Sequence, residues 1–355
     1  MTTITIPFQV NFEEIDEHLL NKDAVNQINS IFAEHGAVLL RGFPLKTAED
    51  FADVATQFIT TPTDYTGGTI VRQPIKGLVY NSSEFPPAVT FPIHNEMGYA
   101  DKPPERILFF CLEKAEVGGQ TPICDCRRVL QRLPNQLVDA IRTHGVRYIR
   151  RLPKENGGYL GGWSQAFKTE DTRIAEERCK AMGCDCTWDE GDIMVITNTV
   201  EGIRRHPHTG EELWVNQISS YHSSRHEHAL RITPQEFFGD LVASVKSEKI
   251  KASPILKFIV GASSPLLLKL GSKMLPVLLF FQKWYAPGNI YWNCTLGNGT
   301  SFTRKDIEAI WDAVIAETIV FNWQQGDVLF LDNFRFGHGR KPFRGKRQVL
   351  VSFGS

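Results

Sequence analysis

Phe91-Pro92-Ile93-His94-Asn95-Glu96-Met97-Gly98-Tyr99 sets an imidazole and a carboxylate one residue apart. On an extended strand, residues i and i+2 leave the same face, so His94 and Glu96 converge on one point. Two ligands do not hold a metal alone. A third imidazole stands far along the chain, in Gly337-His338-Gly339-Arg340. Two histidines and one carboxylate with open positions form a facial triad, a donor set suited to oxygen-activating iron(II). Taken singly, each residue has a plainer reading: a lone histidine is more often structural than ligating, and His-x-Glu recurs by chance. The surroundings have to decide.

An iron(II) centre that uses a 2-oxo acid needs a cation for the acid's far carboxylate, and the planar fork of arginine matches it best. The run from His338 to Arg347 supplies three arginines. Arg347 opens the apolar stretch Val349 to Phe353, which predicts a strand carrying it back beside His338; Arg340 and Arg344 compete for the role. Standing alone, the cluster would read equally well as a solvated basic turn. His206, His208 and His222 are also chemically able to bind metal, but none has a carboxylate at strand spacing.

The chain of 355 residues is 42% hydrophobic and 22% charged, enough to bury a sizeable core. A net charge of -1 offers no basic excess to neutralise phosphates, so nucleic acid is not an expected partner. Seven cysteines and the lack of a recognisable signal peptide point to free thiols in a reducing compartment, the cytoplasm. Cys124 with Cys126 and Cys184 with Cys186 are spaced too closely for the usual zinc pattern and are read as small buried or half-exposed residues.

Apolar spacing predicts an opening strand at Ile4 to Val10, a helix over Asn21 to Gly36 and a buried strand at Ala37 to Arg41. A second helix follows the capping pattern Thr47 to Asp50. Ile107 to Leu112 reads as strand, and Arg128 to Thr143 as one helix disturbed by Pro134. Thr169 is expected to cap a helix ending near Gly183, ahead of a strand at Ile193 to Ile196. Trp214, Asn216 and Gln217 fall on an expected strand. Thr303 to Asp306 caps a helix bearing Ile307, Ile310, Trp311, Val314 and Ile315, followed by strands at Thr318 to Trp323 and Asp327 to Leu331. Many short strands with a few surface helices predict a mainly β protein, a double-sheet jelly roll with flanking helices, in a single domain over 1–355. Residues 233–287 form an apolar, helix-forming insertion read as a lid or an oligomer contact. Its longest charge-free run is too short to span a bilayer, which takes about 20 apolar residues.

Several motifs, in order, resemble the taurine dioxygenase-like group of iron(II)- and 2-oxoglutarate-dependent oxygenases. They are His35 to Phe43, Ile93 to Met97, Gly118-Gly119-Gln120-Thr121-Pro122-Ile123, Asp327 to Asn333, His338-Gly339-Arg340, and Arg347. The stand-alone amino-acid hydroxylases of nonribosomal peptide and other natural-product biosynthesis look most similar. The resemblance implies a clavaminate synthase-like double-stranded β-helix. It also implies Fe(II) held by His94, Glu96 and His338, 2-oxoglutarate as cosubstrate with its distal carboxylate on Arg347 helped by Thr121, and O2 at the remaining metal position. Asn81, Ser82 and Glu84, with Trp214 and Asn216, are candidates to line the substrate pocket.

In the halogenating relatives a small residue replaces the carboxylate, so Glu96 favours hydroxylation; desaturation, cyclisation or epimerisation by the same chemistry stay open. The small-molecule substrate is free or tethered to a carrier protein. Intact ligand residues argue against a non-catalytic binding member of the fold, and a metal hydrolase on a related scaffold would act without oxygen.

Overall fold

A computed structural model describes residues 8–11, 22–63, 65–68, 72, 74–77, 79–82, 85–155, 161–237, 239–240, 243 and 292–355. Two sheets lie against each other. The larger has seven strands in the order Phe8–Asn11, Ala37–Arg41, Val328–Asp332, Arg106–Glu113, Gln348–Gly354, Val79–Asn81 and Pro74–Lys76. Phe8–Asn11 runs parallel to its neighbour, and the other pairings are antiparallel. Its central strands read as continuous apolar runs because both faces are covered. Val38, Leu40, Leu108, Phe110, Val328, Phe330 and Leu350 point outward to the helices Lys22–His35 and Ala48–Phe58, which present Ile28, Phe32, Phe51, Val54 and Phe58. Phe32 stacks on Phe330 with ring centres 3.8 Å apart. Each such side chain contributes about 1.5–3 kcal/mol on burial.

The alternate residues of the same strands, Leu39, Ile107, Phe109, Leu329 and Val351, turn inward and join a core shared with Ile123, Cys124 and Phe336 of the smaller sheet. That sheet runs Thr318–Ile319, Ile123–Asp125, Phe336–Arg340, Phe91–His94. This is the expected jelly roll. A further four-stranded sheet, Asp185–Asp189, Ile193–Val200, Val146–Leu152 and Trp292–Leu296, flanks it. Leu152, Trp163, Phe167, Cys179, Met194 and Ile196 form a separate cluster there.

Local chemistry explains where the expected elements shifted. Thr47 and Asp50 make a reciprocal capping box, as do Thr303 and Asp306. Pro134 splits the expected Arg128 to Thr143 helix into Cys126–Arg132 and Asn135–His144, since its ring removes a donor and clashes with a preceding turn. Asp171, not Thr169, caps the helix Thr172–Ala181; the Thr169 hydroxyl instead accepts from the Asp171 N–H at 3.2 Å, forming a turn before the helix. The strand expected over Thr318 to Trp323 pairs only at Thr318–Ile319, because its neighbour Ile123–Asp125 is itself three residues long.

Of the opening strand, the structure describes Phe8–Asn11. Glu84 and almost all of the 233–287 insertion lie outside the described residues. Among the described residues, no helix is long and apolar enough to cross a membrane.

Candidate metal centre and active site

His94 and His338 occupy adjacent antiparallel strands of the smaller sheet and are direct cross-strand partners. Their ring centres are 4.6 Å apart. Glu96 follows His94 by two residues, and a ligating atom from each of the three lies within 4.8 Å of the others. All three are buried. His338 Nε2 is 3.8 Å from Glu96 Oε2. His94 Nδ1 lies 3.1 Å from the Pro92 carbonyl oxygen, which can only accept; Nδ1 therefore carries the proton and Nε2 keeps its lone pair. Burial pushes the pKa of both imidazoles down, that of His338 furthest, and holds them in the neutral form a metal requires. Gly339 permits this pairing. A Cβ on it would come within 2.7 Å of the Phe91 carbonyl oxygen on the ligand strand.

The loop after Glu96 is buried and its backbone groups need partners. Met97 takes a left-handed conformation, φ 51°, that turns the chain away from the strand. The side-chain amide of Asn333 clasps the Glu96 backbone: Oδ1 accepts from Glu96 N–H at 2.7 Å, and Nδ2 donates to Glu96 C=O at 2.9 Å. Asn95 Nδ2 donates to the Asn333 carbonyl at 2.7 Å, and Arg204 donates to the carbonyls of Gly98, Ala100 and Asp101. Arg72 donates to Glu96 Oε2 at 2.7 Å, with both side chains buried. Neither Arg72 nor Asn333 stands out in the sequence as a site residue.

Arg347 precedes the strand Gln348–Gly354 and reaches the edge of the smaller sheet. Its Nε donates to the Gly119 carbonyl at 2.8 Å, and its Nη2 lies 3.4 Å from Thr121 Oγ1. The Gly118-Gly119 turn lets it pass: a Cβ on Gly119, φ +74°, would sit 3.0 Å from Arg347 Cδ. Trp323 Nε1 also donates to Thr121 Oγ1, at 3.1 Å. Because Thr121 oxygen accepts from these donors, its own proton is directed elsewhere.

Arg340, expected beside Arg347, is occupied instead. Its Nη1 donates to Phe85 C=O at 2.6 Å and its Nη2 to Pro86 and Val89 C=O at 2.7 Å each, fastening that loop to the His338 strand. Arg344 is exposed and pairs with Asp240 at 2.6 Å.

Of the expected pocket residues, Trp214 and Asn216 line a small cavity together with His94, while Asn81 and Ser82 lie on and just after a strand of the larger sheet. Asn81 ends the strand Val79–Asn81, and Ser82 N–H donates to Val349 C=O at 2.9 Å. Trp214 ends a short strand, Glu212–Trp214, so Asn216 and Gln217 lie beyond it rather than on it. Asn216 Nδ2 donates to Gly202 C=O, and its Oδ1 accepts from Ile218 N–H. With both ends engaged, Asn216 supports the loop behind Asn95 instead of presenting a free amide. His206 pairs with Asp332 at 2.8 Å, exposed His208 with Glu105 at 2.9 Å, and His222 Nδ1 with the Ser224 hydroxyl at 2.6 Å; none joins the triad. Cys124 and Cys126, like Cys184, are buried free thiols, while Cys186 is half-buried.

The family model described as taurine catabolism dioxygenase TauD, TfdA family, matches residues 5–249 and 288–353. The chain belongs to this family. It is an Fe(II)- and 2-oxoglutarate-dependent dioxygenase that uses O2. The stretch the TauD, TfdA model leaves unmatched, 250–287, falls inside the apolar segment singled out in the sequence. The chain is 29% identical over 325 residues to the dapdiamide synthesis protein DdaC of Enterobacter agglomerans, covering 92% of this chain and 84% of that one. It is 26% identical over 338 residues to a clavaminate synthase-like protein of Arabidopsis thaliana, covering 93% and 85%. A solved taurine dioxygenase from Burkholderia xenovorans aligns over 99% of this chain and 86% of its own, with 14% identity and a TM-score of 0.47.

Proposed function

We propose that this dioxygenase hydroxylates an unactivated C–H bond of an amino acid or of an amino-acid-derived natural-product intermediate. The observation that carries the reading is Glu96, a buried carboxylate converging with His94 and His338 on one point. That donor set fits iron(II) with positions left open. The presence of the carboxylate favours hydroxylation over halogenation. The match to DdaC, a protein named for dapdiamide synthesis, supports a natural-product substrate, and seven free thiols support a reducing, cytoplasmic setting.

In this reading, bound iron(II) would activate O2, the oxidant, which takes two electrons from 2-oxoglutarate, giving succinate and carbon dioxide, and two from the substrate C–H bond, giving the alcohol. The protein does the positioning. His94 and His338 offer neutral nitrogens from adjacent strands, and Glu96 supplies the anionic ligand on a backbone held by Asn333. Arg347 and the directed proton of Thr121 take the distal carboxylate of 2-oxoglutarate, and burial pulls the Arg347 guanidinium down, as for a cation awaiting its counter-ion. Phe91 and Phe109, with ring centres 4.8 and 4.9 Å from His94 and His338, wall the site with apolar surface that keeps water off the ligands.

The test is mass spectrometry on an amino-acid panel, seeking a gain of one oxygen that depends on 2-oxoglutarate. Glu96→Ala is expected to drop product to background and to erase the weak visible absorption of the Fe(II)–2-oxoglutarate chelate formed without oxygen. Undiminished product from that variant would contradict the role given to Glu96.

A further inference from the structure

Arg72 has a buried side chain, 5% exposed, and its Nη2 is held by Glu96. Among the described residues, its Nε and Nη1 have no hydrogen-bond partner. The guanidinium carbon lies 4.6 Å from the Tyr65 ring centre and 5.4 Å from that of Phe353, in the corner formed by two rings set edge to face with their centres 6.1 Å apart. An arginine keeps its charge, so burying it with two nitrogens unpaired is costly unless a further acceptor arrives.

The surrounding wall repeats the pattern. Tyr99, three residues beyond Glu96, has a buried hydroxyl with no partner among the described residues. Arg150, fully buried, lies 4.8 Å over the Tyr99 ring; it donates to the Gly67 carbonyl and the Cys184 sulfur, and its Nε is unpaired. Among the described residues, Arg72 has no carboxylate partner besides Glu96 and Arg150 has none. Charge counting sharpens the point. In the loaded site the single negative charge of Glu96 would be shared between the metal and Arg72, and the two negative charges of 2-oxoglutarate between the metal and Arg347. Among the described residues that leaves Arg72 with a shared counter-ion and Arg150 with none.

We propose that Arg72 is the substrate's anchor: it binds a free carboxylate of the molecule being oxidised, with the Tyr99 hydroxyl as a second donor and Arg150 contributing charge behind it. This rests on the hydroxylation reading above and narrows it. The substrate enters with that carboxylate unesterified, so it is not tethered to a carrier through that group. Arg72 reaches the anion while keeping Nη2 on Glu96, which ties substrate arrival to the ligand beside it.

The experiment compares the twenty free L-amino acids with their carboxamides, which keep shape and lose the charge. Protein loaded with Fe(II) and 2-oxoglutarate without oxygen is titrated, and binding is read from the shift of the visible chelate absorption and from thermal unfolding. In the wild type, at least one acid is expected to bind about ten- to a hundredfold tighter than its amide, the range for a charge-assisted pair. Arg72→Gln, which can still donate to Glu96, is expected to lose that preference while retaining the chelate absorption; Arg72→Lys is expected to keep part of the preference.

The proposal is overturned if no acid binds the wild type, if acid and amide bind alike, or if Arg72→Gln retains the preference. It is also overturned if Arg72→Gln loses the chelate absorption itself, since Arg72 would then serve Glu96 alone. Should the variant not fold, the wild-type comparison of acid with amide decides. Acid preference without oxygen insertion keeps Arg72 in this role and removes the hydroxylation reading; oxygen insertion without acid preference does the reverse.

Discussion

Asn333 gives Glu96 the backbone partner that a neighbouring strand would otherwise supply. It accepts from the N–H and donates to the C=O of the same residue, and its Nδ2 also donates to Pro104 C=O at 2.8 Å. Removing it leaves three buried backbone groups unpaired, each costing about 1–3 kcal/mol. Asn333→Ala is therefore expected to weaken Fe(II) binding about 10–100-fold, the usual effect of losing an outer-shell partner, measured by titration against a competing chelator. Unchanged iron affinity would show that Met97 and the Arg204 contacts hold the loop without it. His94, Glu96 and His338 were legible in the sequence because the His-x-Glu triplet and the Gly-His-Gly-Arg run are visible locally, although the strand ends at His94 and Glu96 lies in the turn beyond it, where alternation does not reach. Asn333 and Arg72 were not: each gains its meaning from a partner more than twenty residues away, and no periodicity announces such a meeting.

The short helix Arg225–Arg231 meets the helix Arg304–Ala316 where His228 stacks on Trp311, with ring centres 4.9 Å apart and planes 13° from parallel. Neither ring nitrogen of His228 has a partner among the described residues, and burial, with Arg231 and Lys341 nearby, pushes its pKa down to about 3 from 6.5. Between those values the unfolded chain binds a proton that the folded protein refuses. Stability contributed by the neutral ring is thus present above about pH 6.5 and is lost as pH falls toward 3, at up to about 1.4 kcal/mol per pH unit. Denaturant unfolding at pH 7 and pH 5 should differ by roughly 2 kcal/mol from this site, and His228→Phe should remove that part of the slope. An unaltered slope in the variant would assign the acid sensitivity elsewhere. Elements with complete local signals, such as the capped helices Ala48–Phe58 and Arg304–Ala316, appear where the sequence places them. The strand from Thr318 was overextended because β-branched and aromatic residues state a preference, whereas a strand also needs an edge to pair with.

For the molecule as a whole, the metal centre draws on two strands far apart in the chain, Phe91–His94 and Phe336–Arg340, so cofactor binding and fold stability are linked. Ligands that bind only the folded state stabilise it by mass action, about 2.7 kcal/mol at a hundredfold excess over the dissociation constant. Fe(II) with 2-oxoglutarate should raise the thermal midpoint by roughly 5 °C, and a chelator should reverse it. An equal rise for a variant lacking Glu96 would locate the stabilising site elsewhere.

The jelly roll was readable because its central strands are apolar on both faces and its helices are capped. The arrangement of the third sheet was less so, since Val146–Leu152 alternates Arg147, Tyr148, Ile149, Arg150 and Arg151 and looks solvent-facing until Arg150 proves fully buried. The cross-strand pairing of His94 with His338 has a consequence for how the protein is made. The first ligand pair is synthesised more than two hundred residues before the third ligand, and Gln348–Gly354 is inserted between strands made long before it. A ribosome-bound intermediate that lacks these segments has no complete iron site, so metal loading follows translation of residue 354, and a prematurely halted chain exposes an open sheet edge rather than a half-working enzyme.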